Sequence, residues 1–243
     1  MGRIRVVGIG PGDPEDMTLR AVNALRDCDV IVGYTAYVDL VKPLFPGKQT
    51  VSTPMRGEVE RCRRALVMAR EGSEVAVVCS GDAGVYGMAG LLYELRGGDD
   101  APEIEVVGGL TAALSGAALL GAPLANDFAV ISLSDLLTPW EVIEKRLESA
   151  AAGDFAVVLY NPGSSKRRDS LRRACDVLLR HAAPETVCGA ARSIGREGER
   201  IELMSLAELR EYNADMFTTV FVGNSRTRAI GGKMVTPRGY RDV

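Results

Sequence analysis

The strongest constraint on this chain is the character of its apolar runs. They are short and rich in β-branched residues, lack sustained polar alternation, and are separated by stretches with helical spacing. Residues 4–9 form one such run and end in glycines; residues 30–32, Val75–Cys79 and residues 104–107 form others. Between them, residues 17–26, 58–71, 86–95 and 112–120 read as helices. In the second of these, Val59, Cys62, Leu66 and Ala69 recur at steps of three and four with charges between them, the pattern of an amphipathic helix. Strands buried on both faces and alternating with helices predict a parallel sheet covered on each side. The rhythm breaks at residues 121–127, where Gly121, Pro123, Asn126 and Asp127 cluster, so a domain boundary is expected there, giving domains 1–121 and 122–243. Beyond it, strands are expected over 128–132, 155–160, 186–192, 200–203 and Thr218–Val222. Helices are expected over 140–150 and 205–212, with another carrying Leu171, Ala174, Cys175, Leu178 and Ala182 on one face. Gly195 and Gly198 between two of these strands predict a hairpin, so the second sheet should be mixed. The fold class is therefore α/β in two domains, mostly parallel in the first and mixed in the second.

Composition narrows the function. The chain has 243 residues, a net charge of −3 and a pI near 5.4, which gives no reason to expect nucleic acid as a partner. No apolar run approaches the roughly 18 residues of a membrane span, and the first residues lack the pattern of a signal peptide. Cys28, Cys62, Cys79, Cys175 and Cys188 are odd in number, scattered and without a CxxC, which predicts reduced thiols in a cytoplasmic protein. The single histidine, His181, falls near a helix end. That argues against a Ser-His-Asp triad and a His-rich metal site, and no metal is expected.

Three glycine-rich loops follow strands of the first half. The first, residues 8–14 (GIGPGDP), sits where a dinucleotide fingerprint would, with Asp29 at about the distance of a ribose-binding acid. The spacing fails, because the third glycine is replaced by Asp13, and Pro11 and Pro14 remove two backbone donors. A tight strand-to-helix turn and a substrate-side loop both remain open. The second loop, residues 79–87, carries Gly81, Asp82, Gly84 and Gly87. It suits a neutral or cationic ligand with hydroxyls and an amine, or else a turn in which Asp82 caps the next helix. The third, residues 107–113, joins two glycines to Thr111 and a small-residue helix start, as a ligand shelf or a simple cap.

Taken in order, these loops resemble the tetrapyrrole methylase family, whose members carry a GxGPGDP loop, a GDxxxxG loop and a G-hydrophobic-Thr/Ser-Ala turn. Residues 132–140 (SLSDLLTPW), 159–164 (LYNPGS), 195–199 (GREGE), 217–224 (FTTVFVGN) and 234–240 (MVTPRGY) are similar to the branch that methylates C17 of a corrin precursor. The likeness covers essentially the whole chain. One departure is Ala83, where the family usually has proline, which affects turn rigidity more than chemistry.

The resemblance implies two α/β domains with the active site in the cleft between them, usually a homodimer, and S-adenosylmethionine as methyl donor with S-adenosylhomocysteine as product. Carried over by position, donor contacts would come from Gly81, Asp82, Val85, Thr111 and Ala112, and from Tyr160, Asn161, Ala191, Arg192, Thr218 and Thr219. Gly12, Asp13, Ser134 and Asp135 would face the tetrapyrrole. The implied reaction is methylation of precorrin-3B or cobalt-factor III with ring contraction, in cobalamin biosynthesis. A sulfonium donor needs alignment and water exclusion more than acid–base machinery, which suits a histidine-poor chain. Asp13, Tyr86 and Asp135 are the side chains to consider for proton transfer during contraction. A substrate bearing many carboxylates also needs cations. Arg56, Arg192, Arg196 and the run Lys166, Arg167, Arg168 are candidates, the run reading equally as a solvated helix start. Competing expectations are a methylase of another corrin carbon, a diphthine synthase, a nicotinamide-dependent oxidoreductase, and a non-catalytic tetrapyrrole carrier.

Overall fold

The computed structural model describes residues 1–98, 100–164 and 167–241. The chain divides into two compact units, Met1–Thr111 and Ala112–Val243.

The first unit runs β1 (Arg3–Gly8), α1 (Leu19–Asp27), β2 (Val30–Tyr34), α2 (Thr35–Val41), β3 (Gln49–Thr53), α3 (Glu58–Arg70), β4 (Val75–Cys79), α4 (Ala89–Leu95) and β5 (Glu103–Val107). Its five strands are all parallel in the order β3-β2-β4-β1-β5. Strand residues alternate between two apolar layers. Ile4, Val6, Val30, Val32, Val75 and Val77 pack on Cys62, Ala65, Leu66, Ala69 and Leu92 of α3 and α4. Val7, Ile31, Ala76 and Val78 pack on Ala21, Ala24, Leu25, Val38 and Val41 of α1 and α2. Each such aliphatic side chain contributes about 1.5–3 kcal/mol by leaving water, so the two layers dominate this unit's stability. Helix α1 starts where the Thr18 hydroxyl accepts from the Ala21 amide and ends where the Lys48 ammonium donates to the Arg26 and Cys28 carbonyls.

The second unit runs α5 (Ala112–Leu120), β6 (Gly121–Ala122), β7 (Phe128–Ser132), α6 (Trp140–Ala152), β8 (Ala156–Tyr160), α7 (Ser170–Leu178), β9 (Val187–Arg192), β10 (Arg200–Ser205), α8 (Leu206–Leu209), β11 (Thr218–Val222), β12 (Arg228–Ile230) and β13 (Lys233–Val235). The main sheet is mixed, in the order β10-β9-β11-β8-β7. Only β7 and β8 pair in parallel, and β9–β10 is the expected hairpin. One face packs on α6, α7 and α8 through Leu147, Leu171, Cys175, Leu178 and Leu206, and the other packs on α5. Helix α8 opens with a reciprocal cap. The Ser205 hydroxyl accepts from the Glu208 amide, while the Glu208 carboxylate accepts from the Ser205 amide and hydroxyl, which lowers its pKa.

The units divide earlier than the Gly121 break suggested, because α5 belongs to the second core. Ala113, Ala117 and Leu120 are buried among Val158, Ala191 and Phe221, and a Cβ on Gly116 would lie 2.8 Å from the Phe221 ring. Small side chains let this helix lie close to a sheet that begins sixteen residues further on in sequence at β7. The helix expected over 86–95 starts only at Ala89, because Gly87 doubles the chain back so closely that a Cβ there would sit 2.3 Å from the Ala83 carbonyl. Strand β3 and the small sheet of β12, β13 and β6 went unforeseen, the first for its polar residues Gln49, Thr50 and Ser52, the second for its brevity. Among the described residues, no helix is long and apolar enough to cross a membrane, and no cluster of His, Cys, Asp and Glu has the makings of a metal site.

All five cysteines are buried thiols. Burial pushes Cys79 up to about 11, and Cys62 and Cys175 up to about 12, with Cys28 and Cys188 shifted in the same direction. At pH 8 thiols of this kind are ionised on the order of one part in a thousand (Cys79) to one in ten thousand (Cys62, Cys175), so a disulfide reagent should label the native protein very slowly and the urea-unfolded protein at once. Above pH about 9 the unfolded thiols lose protons that the native thiols keep. Stability from these groups is therefore complete below that pH and should fall as pH rises towards 11–12, which a thermal-unfolding series would record.

Candidate functional site

In the first unit, β1 lies between β4 and β5, so the loops that follow these three strands emerge side by side at the C-terminal edge of the sheet. Open parallel sheets gather ligands at this edge. The loops touch backbone to backbone. The Gly10 amide donates to the Gly81 carbonyl (3.1 Å) and the Gly81 amide to the Gly10 carbonyl (2.7 Å). A Cβ on Gly109 would lie 2.2 Å from the Gly81 carbonyl oxygen, and one on Gly8 would lie 2.7 Å from that oxygen and 2.8 Å from the Gly109 amide nitrogen. Gly10 and Gly81 also have φ of 75° and 71°, which L-residues with a Cβ rarely adopt.

Asp82 fastens this junction. One carboxylate oxygen accepts from the Gly84 (2.7 Å) and Val85 (3.0 Å) amides, and the other accepts from the Gly109 amide (2.9 Å). The side chain thus shapes its own turn and joins the second loop to the third; it does not cap α4, whose N-cap is Met88 with no side-chain cap bond. The Gly108 carbonyl accepts from the Thr18 hydroxyl, and Thr111 follows in the same loop. Val85 and Tyr86 are exposed on the turn, and Tyr86 has a φ of 54°. Asp13 is exposed, accepts from the Glu15 amide and caps a short 3-10 turn, with Gly12 half-buried beside it. Arg56 is exposed and carries a φ of 69°. Arg61 of α3 is only 4% exposed, and its guanidinium donates to the Thr53 hydroxyl, the Pro54 carbonyl and the Met88 sulfur. Its helical spacing in sequence gave no hint of that role.

The first loop is closed as a nucleotide cradle. Its glycines meet Gly81 and Gly109, so they serve loop packing and not the approach of a pyrophosphate. Asp29, which accepts from the Glu74 amide, lies before β2, at the opposite end of the strand from these loops.

In the second unit, the β7–β8 register sets Ser132 opposite Tyr160, and the β9–β11 register pairs Arg192 with Thr218 and Ala191 with Thr219. Since Val220 pairs with Leu159, all these residues fall at one edge of the sheet. Tyr160 turns its hydroxyl to accept from the Ala113 amide at the start of α5, next to Ala112. Asn161 has a φ of 54° and donates from its amide to the Ser132 hydroxyl. Ala191, Thr218 and Thr219 are buried; a fully buried Ala191 has its backbone to offer, not its methyl group. Arg192 is half-buried and paired with Asp215 at 2.6 Å. Asp215 also accepts from the Phe217 amide and the Thr218 hydroxyl, so it orders Arg192 and Thr218 together. Nothing in its sequence context marked it, since its partners come from β9 and β11. Arg196 lies 6.0 Å from the Phe217 ring, where a cation–π contact holds it. Ser134 is half-buried and Asp135 exposed, and Arg167 lies beside them. Arg168 is exposed; Lys166 lies outside the described residues. His181 sits just past α7, 3.8 Å from Glu148, as a helix-end residue.

The sequence profile of the tetrapyrrole (corrin/porphyrin) methylases matches residues 3–210. The chain belongs to this family. It is 45% identical over 238 residues to a probable cobalt-factor III C(17)-methyltransferase of Salmonella typhimurium, covering 98% of this chain and 99% of that one. It is 46% identical over 240 residues to the cobalamin biosynthesis protein CbiHC of Archaeoglobus fulgidus, covering 98% of this chain but only 53% of that one, so the chain spans about half that relative's length. The crystal structure of the methyltransferase CobJ superposes with a TM-score of 0.90 at 39% identity, covering 98% of this chain and all of that one. The tetrapyrrole methylase fold, parallel sheet first and mixed sheet second, is thus the one observed.

The glycine junction makes a direct prediction. Gly109→Ala forces a methyl group against a backbone carbonyl and should destabilise the protein by about 1–3 kcal/mol in urea unfolding. Gly90→Ala, inside α4 with no other atoms within 4 Å, should stabilise it by roughly 0.5–1 kcal/mol. Equal effects would show that the junction does not depend on its missing side chains.

Proposed function

We propose that this protein methylates C17 of precorrin-3B or of cobalt-factor III, with ring contraction, using S-adenosylmethionine, in cobalamin biosynthesis. The observation that carries the reading is the junction of the loops after β1, β4 and β5, held by Asp82, in a chain whose relatives are cobalamin-pathway methylases.

The residues fit the donor chemically. The Gly81–Gly109 contact fixes the loop backbone, and the shelf at Thr111 and Ala112 is built of small side chains. Thr218 and Thr219 supply hydroxyls. Bound there, S-adenosylmethionine supplies an activated methyl group whose leaving thioether needs no proton. The chain has to bind, orient and keep water out. Donor binding is assigned to Gly81, Asp82, Val85 and Thr111 in the first unit, and to Ala112, Tyr160, Asn161, Ala191, Arg192, Thr218 and Thr219 in the second. With its three hydrogen bonds made inside the protein, Asp82 acts by shaping the loop backbone. Gly12, Asp13, Arg56, Ser134 and Asp135 are assigned to the tetrapyrrole, with Arg56 as a cation for its carboxylates. Asp13, Tyr86 and Asp135 are proposed to hold or move protons during contraction. The setting is a cytoplasmic homodimer without nucleic-acid or membrane partners, which light scattering of the purified protein addresses as to oligomeric state.

Asp82→Ala removes three hydrogen bonds to a carboxylate. Calorimetry should show S-adenosylhomocysteine binding about tenfold to a hundredfold weaker than in the unsubstituted protein. Incubation with S-adenosylmethionine and each macrocycle should add one methyl group to precorrin-3B or to cobalt-factor III, read by mass. Methylation of another corrin carbon, or of a translation factor, would overturn the assignment of substrate. Absence of any S-adenosylhomocysteine binding would overturn the methylase reading altogether.

A further inference from the structure

Strands β7 and β8 end together, and the last ladder bond between them runs from the Leu133 amide to the Tyr160 carbonyl at 2.8 Å. Beyond it, two loops leave the sheet. One carries Ser134 and Asp135, assigned above to the tetrapyrrole; the other carries Asn161, assigned to the methyl donor. Backbone pairing no longer holds them in register.

Arg167 does. Its Nη1 donates to the Leu133 carbonyl (3.0 Å) and to the Asn161 carbonyl (3.4 Å), and its Nε lies 3.8 Å from an Asp135 carboxylate oxygen. One guanidinium therefore reaches both loops and the acidic side chain between them. The base of the side chain is itself anchored. The Arg167 amide donates to the Ser164 carbonyl, the Ser164 amide to the Arg167 carbonyl, and that carbonyl also accepts from the Ser170 hydroxyl of α7. Only 17% of the side chain is exposed, unlike the exposed Arg168 next to it. The Asn161 backbone is left-handed, a conformation that persists in a non-glycine residue where surroundings impose it. Here the surroundings are the Arg167 bond to its carbonyl and the Ser132 bond to its side chain.

We propose that Arg167 is a positioning residue that locks the Ser134–Asp135 loop to the Asn161 loop, so that substrate-facing and donor-facing groups of the second unit hold one geometry. The inference rests on the proposed methylase reading for its catalytic consequence. A planar fork with five N–H donors can serve two carbonyls and a carboxylate at once, whereas a lysine ammonium on a flexible stem cannot reproduce that arrangement. The role differs from that of a clamp on substrate carboxylates, because the guanidinium faces protein acceptors.

The test compares the full-length unsubstituted chain with Arg167→Lys and Arg167→Met. Hydrogen exchange is followed in peptides covering residues 133–139 and 160–164. In both Arg167 variants exchange should quicken in the two loops together, with the rest of the sheet unchanged. Quickening in one loop alone, or in neither, would overturn the proposal, and this readout stands whether or not the methylase assignment survives. In turnover, kcat should fall about tenfold to a hundredfold in Arg167→Met, and Lys should not rescue it. An unchanged kcat with a raised KM for the macrocycle, restored by Lys, would make Arg167 a carboxylate clamp and overturn the positioning role.

Discussion

The first unit depends on the backbone contact among Gly8, Gly81 and Gly109. Each is the point where a loop leaving the sheet must pass within van der Waals contact of another, and a single Cβ at Gly109 would come 2.2 Å from a carbonyl oxygen. Glycine at such positions costs about 0.5–1 kcal/mol in unfolded-chain entropy, less than the few kcal/mol a clash would impose, so steric exclusion decides the residue. The Asp82 carboxylate then adds direction to a contact that glycine alone would leave loose. Its three hydrogen bonds tie the turn at 81–87 to the loop at 108–109.

The second unit meets the same need differently. Its sheet is mixed, and polar side chains order its functional edge. Asp215 gathers Arg192, Thr218 and the Phe217 amide; Tyr160 closes onto the first turn of α5; Arg167 bridges two loops. Glycine-mediated contact is rigid because nothing can rotate. A side-chain network is rigid only while every partner is present, so single substitutions there should act on geometry before they act on the fold.

Left-handed backbone at non-glycine residues follows the same division. Arg56, Tyr86, Asn161 and Ser193 adopt it within or next to the segments assigned to ligand, and Asp154, which accepts two hydrogen bonds from Ser225, adopts it elsewhere. Conformations of this kind cost on the order of 1–3 kcal/mol and survive where surrounding contacts over-determine them.

Much of this was legible in the sequence, because it follows from local patterns. Unalternating β-branched runs predicted the parallel sheet, the Gly195–Gly198 turn predicted the hairpin, and the ordered glycine loops pointed to the family. What the glycines were for was not legible, since a Gly-rich turn looks alike whether it meets a ligand or another loop; only the strand order β4-β1-β5 shows that they meet each other. The side of the boundary to which α5 belongs was likewise hidden, because a helix almost wholly of alanine, leucine and glycine carries almost no amphipathic signal and its partners, Val158, Ala191 and Phe221, lie far along the chain. Asp215 escaped, and Arg167 read only as a substrate cation or solvated helix start, for a related reason. A charge reads as solvated surface until the tertiary fold brings partners such as Arg192, or the Leu133 and Asn161 carbonyls, beside it. Sequence alone determined the kinds of element and the family, which depend on local periodicity and ordered motifs. Tertiary structure decided which residues organise the site, because that depends on contacts between segments that no spacing along the chain encodes.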